Sequence, residues 1–470
     1  MTNIYLCTPP YAGMKDLSQG NEGKLIFRFA VPMLLGNVFQ QLYNVVDTVI
    51  VGRFIGKEAL AAVGTSFPII FMLISFIIGI TMGFTIIISQ YFGAKEMDKV
   101  KKAINTLYIF VFFSSIIVSV AGSLLSGWIF RLVDLPEQII PQARIFLIIV
   151  FSGMIFLFGY NGTSAILRGL GDSKTPLYFL IGSVSLNILL DLLFVIGFGW
   201  GIEGVAVATV FSQAFAFLAQ ILYLNRYHSF LRFSFRELQF DRRIFNQGIR
   251  IGLPTGFQQT FVAAGMLALY WIVNQFGVTA NAAYSVAGRI DTFAVMPAMT
   301  FSAALSTFVG QNLGANRADR VKRGLRDTLL MTTGIALAIS MVTVFFGRYL
   351  MMMFSNDPEV IELGRMYLMI IGAFYILFTT MFIINGVLRG AGDTFIPMII
   401  TLLALWAVRV PVAYLLSRVP EIGLYGVFWS IPAGWFTGVV LATLYYLAGR
   451  WKSKAVVRFD AEGKRLDVSE

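Results

Sequence analysis

Ile104-Asn-Thr-Leu-Tyr-Ile-Phe-Val-Phe-Phe-Ser-Ser-Ile-Ile-Val-Ser-Val-Ala-Gly-Ser-Leu-Leu-Ser-Gly-Trp-Ile-Phe130 contains no charged residue across 27 positions. As an α-helix it is about 40 Å long at ~1.5 Å per residue, more than the roughly 30 Å of a bilayer's hydrocarbon core. The run from Ile422 to Gly449 is equally free of charge across 28 positions. Neither suits a helix in a water-soluble core. The whole chain shares the bias: of 470 residues, 57% are hydrophobic and 13% charged. Soluble domains are nearer a quarter charged. The excess apolar surface must face lipid.

Outward from this run, twelve spans are expected, at about 25–52, 59–91, 104–130, 139–166, 176–198, 203–224, 249–274, 281–311, 328–347, 361–387, 395–416 and 422–448. The longest connection lies between the sixth and seventh. The expected divisions are a leader over 1–24, an amino-terminal lobe over 25–224, a linker over 225–248, a carboxy-terminal lobe over 249–449 and a tail over 450–470. Residues 1–24 carry no hydrophobic core of the kind a signal peptide needs.

The formal net charge is +11. Nucleic-acid binding would need a basic face on a soluble module, and here the cations sit between spans. The loops at 93–104, 167–176, 225–250, 314–326 and 388–394, with both termini and Arg28 at the start of the first span, hold 27 of the 36 Lys and Arg. The opposite loops hold 7, and Arg289 and Arg409 lie inside spans. The positive-inside rule then predicts that both termini are cytoplasmic. One cysteine, Cys7, excludes an intramolecular disulfide, and one histidine, His228, argues against His-based catalysis or metal binding. No enzyme constellation and no cofactor are expected.

The chain repeats itself. Leu167-Arg-Gly-Leu-Gly-Asp172 recurs as Leu388-Arg-Gly-Ala-Gly-Asp393, an offset of 221. Ser89-Gln-Tyr-Phe-Gly-Ala94 recurs at the same offset as Gly310-Gln-Asn-Leu-Gly-Ala315, and Val100 and Lys102 map onto Val321 and Arg323. Several matches at one spacing mark a duplication. Each copy holds six spans, so both halves enter the membrane from the same side. The predicted fold is all-α: twelve transmembrane helices in two six-helix lobes related by a pseudo-twofold axis along the membrane normal. Transporters with such halves bind substrate between them.

Charges inside a membrane are costly and point to function. Three acids lie well within spans: Asp47, Asp191 and Asp291. Asn187 and Asp191 are four apart and share a helix face, and Thr209 adds an oxygen from the next span. Two carboxylates with amide and hydroxyl oxygens suit a hard cation such as Na⁺. The same pair suits a proton, because two carboxylates in an apolar interior resist joint ionisation. The plainer reading is that each Asp hydrogen-bonds a break in the backbone. Asp291 lies two residues from Arg289, which a helix points elsewhere, so Arg409 is its candidate partner. A structural ion pair is the plainer reading there, and a second proton or substrate site the sharper one. Pro32 lies some four turns before Asp47 and removes a helix hydrogen bond, which permits either a hinge or a static kink.

The chain resembles the MATE (multidrug and toxic compound extrusion) transporters, nearer the bacterial DinF-like and NorM-like branch. Pro32, Tyr43-Asn-Val-Val-Asp47-Thr-Val-Ile-Val-Gly52, Ala59-Leu-Ala-Ala-Val-Gly64, Gln90 with Gly93, the two LRGxGD segments and Asn187 to Asp191 carry the likeness, which covers about residues 24–450. It implies two lobes opening alternately to either side, exporting organic cations and amphipathic drugs in exchange for Na⁺ or H⁺. It places the amino-lobe cation site on Asp47, Asn187, Asp191 and Thr209, and the helix-one proline on Pro32. Some NorM-like members also use acids in helices seven and ten. Here those spans read Gln258-Gln-Thr-Phe-Val and Phe382-Ile-Ile-Asn-Gly386, without an acid. The expectation is therefore an antiporter of the bacterial inner membrane, a monomer among membrane lipids, with a small amphipathic or cationic substrate and no nucleic-acid partner. The alternative is a lipid-linked saccharide flippase of the same wider superfamily, which would need a strongly cationic cavity.

Overall fold

The computed structural model describes residues 14–132, 136–460 and 465–466. Cys7 lies outside them. The chain divides into two compact units. One is Leu35–Arg250 with the described residues of Met1–Asp16, and the other is Leu17–Leu34 with Ile251–Glu470.

The helices are α1 (Glu22–Ile50), α2 (Lys57–Gly93), α3 (Met97–Leu132), α4 (Ile140–Ser152), α5 (Met154–Gly169), α6 (Lys174–Leu192) and α7 (Ile202–Tyr227) in the first half of the chain. They continue as α8 (Arg242–Asn274), α9 (Val278–Gly314), α10 (Ala318–Met352), α11 (Pro358–Gly372), α12 (Tyr375–Gly390), α13 (Phe395–Leu402), α14 (Val410–Ser417) and α15 (Leu424–Leu447). Wide π-helical turns follow α1 and α6 and join α13 to α14. Among the described residues, ten spans are long and apolar enough to cross a bilayer. Two more come from the pairs α4–α5 and α11–α12, bent by 48° and 50°. The total of twelve, six in each half of the chain, is the number expected from the apolar runs.

The two bends have a local cause. Gly153 separates α4 from α5, and a Cβ there would run into Val210 of α7. Gly372 ends α11, where a Cβ would run into Thr343 of α10. A neighbouring helix presses on bare backbone at both breaks, and glycine is a recognised site of sharp kinks.

The repeated motifs turn out to be helix endings. In Leu167–Asp172 the Asp172 N–H donates to Leu167 O (2.9 Å) and the Gly171 N–H to Arg168 O (3.0 Å). In Leu388–Asp393 the Asp393 N–H donates to Leu388 O (3.0 Å) and the Gly392 N–H to Arg389 O (2.8 Å). This pair of bonds is the Schellman cap, whose turning residue adopts positive φ. Gly171 and Gly392 do so at 81° and 90°. Asp172 then caps the next helix, accepting from the Lys174 and Thr175 N–H groups at 2.9 and 3.1 Å. Upstream, Gly169 packs on Thr85 and Gly390 on Ser306, each against a backbone carbonyl. Duplication has preserved these turns and close crossings.

The linker between the halves is fastened within the first unit. Lys101 bonds Glu237 at 2.8 Å, and this bond holds the Glu237 carboxyl below the usual carboxylate range. Asn105 donates to Glu237 O, the Asp241 N–H donates to Thr106 Oγ1, and Phe233 packs edge-on against Tyr108.

In the second unit, Leu17 to Glu22 are fastened to α9 and α10. The Leu17 N–H donates to Gln311 Oε1 at 2.8 Å, Arg317 donates to Ser18 O, and Arg320 donates to Gly20 O. Glu22 pairs with Arg320 at 3.1 Å and Arg323 at 2.8 Å. Ile26, Phe29 and Ala30 of α1 bury themselves against Phe301, Leu305 and Phe308. These contacts place Leu17–Leu34 in the second unit. α1 runs helically through the buried Pro32, and the division between units falls two residues later.

Candidate functional site

Four of the singled-out polar residues meet inside the first unit. α6 carries Asn187 and Asp191 one turn apart, and both are almost wholly buried. The surrounding donors and acceptors orient the Asn187 amide. Its nitrogen donates to Asp191 Oδ2 at 2.9 Å, and its oxygen accepts from the Thr209 N–H of α7 at 3.2 Å. Thr209 Oγ1 lies 3.4 Å from Tyr43 Oη of α1. Tyr43 stands one turn before Asp47, on the same helix face. Asp47 and Asp191 lie close enough to repel one another.

One oxygen on each acid is unsatisfied. Asp47 Oδ1 and Asp191 Oδ1 are both sealed from solvent and have no hydrogen-bond partner among the described residues. Buried polar atoms are nearly always paired, and an unpaired one marks a place where something else binds. A cation or proton between two such oxygens would satisfy both. Asp47, Asn187, Asp191 and Thr209 thus supply carboxylate, amide and hydroxyl oxygens of the kind Na⁺ accepts. A cavity of mixed lining reaches Asn187, bordered by Gln40, Tyr43, Tyr160 and Gln213 on its polar side and by Leu157 and Leu180 on its apolar side.

The residues singled out in the second half behave differently. Asp291 Oδ1 accepts from Tyr375 Oη at 2.8 Å. No ion pair joins Asp291 to Arg409 among the described residues. Arg409 runs over Gly434, where a Cβ would stand 3.1 Å from its own Cβ; its guanidinium bonds Tyr284, and its Nε is buried without a partner among the described residues. Arg289 is exposed. The direct bond to the carboxylate thus comes from a tyrosine hydroxyl on α12, while Arg409 acts on Asp291 from beyond ion-pair distance.

Sequence reasoning passed over Tyr43 and Tyr375 as site residues. Tyr43 was discoverable from its spacing of four before Asp47. Nothing local marks Tyr375, which lies 84 positions from its partner.

The model of the MatE family matches residues 32–193 and again 254–415. This chain belongs to the MatE family. The two matches restate the internal duplication, with one family unit in each half. A relative from Bacillus subtilis (strain 168), named probable multidrug resistance protein YoeA, is 35% identical over 437 residues, covering 92% of this chain and 94% of its own. A probable multidrug resistance protein NorM from Thermotoga maritima is 28% identical, covering 92% and 94%. Among solved structures, the outward-facing conformation of a multidrug resistance MATE family transporter of the MOP superfamily superposes with a TM-score of 0.88. It is 22% identical and covers 94% of this chain and 98% of that one. That likeness is one of fold. These MatE relatives and neighbours are named for resistance and transport rather than for catalysis, in agreement with a chain that is no enzyme. The protein is a multi-pass membrane protein of MatE architecture.

Proposed function

We propose that this MatE protein is a cation-coupled antiporter that exports amphipathic or cationic small molecules by alternating access. The single observation that carries the reading is the pair of buried, unpartnered oxygens on Asp47 and Asp191. A charge left bare inside a membrane protein is costly, and such residues mark ion pathways. Na⁺ or H⁺ entering between them relieves the repulsion. Asn187 holds Asp191 through one oxygen and leaves the other to the ion. Thr209 and Tyr43 orient hydroxyls beside it. A solute held in the adjoining cavity would lie near the ion, so each would disfavour the other, and the coupling would be reciprocal. Pro32 lets α1 change its curvature as the site fills. In this reading the protein lies in the bacterial inner membrane, with both termini cytoplasmic, and works as a monomer.

The test is efflux of a fluorescent organic cation from cells or proteoliposomes, with the Na⁺ and pH gradients varied independently. Wild-type protein should export under one of the two gradients. Asp47→Asn and Asp191→Asn, present at normal levels, should not. Export by both neutral variants would remove the assignment.

A further inference from the structure

The second unit ends in a rigidly seated basic segment. α15 leaves its apolar span at Leu447, and Gly449, at φ 71°, turns the chain into a short 3₁₀ helix over Arg450–Lys454. Three side chains of this stretch face inward. Trp451 is 1% exposed, Ala455 5% and Val457 3%. The Trp451 ring stacks on Tyr446 with centroids 5.5 Å apart and an 11° tilt, and its Nε1–H donates to Tyr446 O at 3.0 Å. Trp451 and Ala455 belong to the same buried cluster as Leu17, Ile26 and Phe29. The segment is thus locked to the folded unit.

Its other side carries four cations in nine residues. Arg450, Lys452, Lys454 and Arg458 are all exposed. None makes an ion pair with a carboxylate among the described residues. Lys452 Nζ lies over the Trp451 ring at 5.9 Å, and Arg458 donates its Nε–H to Ala455 O. The backbone that holds them is fixed, so little ordering entropy is lost when they meet an anion. They stand three to eleven residues past the end of a span, where lipid headgroups lie.

We propose that Arg450–Arg458 forms a binding site for the phosphate headgroup of an anionic phospholipid. Clustered Lys and Arg beside a span attract anionic lipid additively. Its anchorage by Trp451 ties the cations to the folded unit. Through Trp451, a bound headgroup braces the cluster that also holds the start of α1.

The experiment uses the full chain in nanodiscs of phosphatidylcholine, titrated with phosphatidylglycerol and read by native mass spectrometry of retained lipid. The test variant is Arg450→Gln with Lys452→Gln and Lys454→Gln, all at exposed positions. The control is Lys95→Gln with Lys102→Gln and Lys174→Gln, equally exposed and equally basic. Wild type and control should retain phosphatidylglycerol alike, and the test variant should bind it roughly tenfold or more weakly. Millimolar inorganic phosphate should not displace the lipid. Equal retention by the test variant overturns the proposal, as does equal loss in the control, which would reduce the effect to net charge. Displacement by inorganic phosphate overturns it in favour of a free-phosphate site.

Discussion

Lys95 and Asn316, 221 positions apart, hold the same left-handed backbone conformation, with φ of 60° and 57°. Each closes a Schellman cap. Glu96 N–H donates to Tyr91 O and Lys95 N–H to Phe92 O, as Arg317 N–H donates to Asn312 O and Asn316 N–H to Leu313 O. The duplication therefore kept a turn even where it did not keep the glycine that normally makes it.

That relationship yields a stabilising substitution. A non-glycine residue in this conformation costs roughly 1–2 kcal/mol, less for Asn, whose short polar side chain tolerates it. Lys95→Gly should raise stability by about 1 kcal/mol and Asn316→Gly by less, read as shifts in thermal unfolding of the purified protein. Equal or opposite shifts would count against the cap.

The opposite holds at the close crossings. A Cβ on Gly390 would press on the Ser306 carbonyl, and one on Gly169 on Thr85 and Ile88. Overpacking of this kind typically costs ~1–3 kcal/mol. Gly390→Ala and Gly169→Ala should each lower the unfolding temperature. Gly334→Ala, where nothing stands within 4 Å, should leave it unchanged or slightly higher.

Glu22 offers a test of the leader's attachment. Its partner Arg320 has a side chain only 9% exposed, whereas that of Arg323 is 55% exposed. Removing one member of a buried pair strands the other, at roughly 3–5 kcal/mol, while exposed pairs are worth about 0–1 kcal/mol. Glu22→Gln should destabilise the protein several-fold more than Arg323→Gln. Comparable effects would mean that the pair is not sealed.

His228 sets a pH dependence outside the spans. It is 2% exposed, and its Nδ1 has no partner among the described residues. Burial pushes the imidazole below its ordinary value, with the Asp172 carboxylate opposing. The unfolded chain then binds the proton more readily, so stability rises with pH through the window below about 6.5 and falls as the solution is acidified. His228→Phe should flatten that acid limb of the unfolding curve. A limb of unchanged slope would show that other groups set it.

Tyr43 tests the fine structure of the cation site. Its hydroxyl lies 3.4 Å from Thr209 Oγ1, longer than a strong O–H···O bond. Tyr43→Phe should therefore slow export a few-fold, far less than Asp191→Asn, in the same efflux assay. A loss as complete as that of the acid would make Tyr43 an ion ligand in its own right.

Much of this was readable in one dimension. A 27-residue run without charge has few alternatives to a membrane span, and an acid within one is rare enough to be conspicuous. Asn187 and Asp191 declare a shared face by their spacing of four. What could not be read depends on long-range packing. The Tyr375 hydroxyl is one among 18 tyrosines, and only the crossing of α12 over α9 selects it. The bends at Gly153 and Gly372 depend on Val210 and Thr343, far along the chain. The attachment of Leu17 to Gln311, 294 positions away, leaves no local pattern at all.

That attachment has a consequence for biosynthesis. Leu17–Leu34 leaves the ribosome first among the described spans, yet its packing partners in α9 and α10 are not made until more than 200 residues later. At roughly 5–20 residues per second, the apolar side chains of Ile26, Phe29 and Ala30 wait on the order of fifteen to fifty-five seconds for their partners. A nascent chain halted after Arg250 would present this strip uncovered, and the two halves of the gene could not be separated cleanly at the midpoint of the duplication. The second unit is finished by a segment made long before the rest of it.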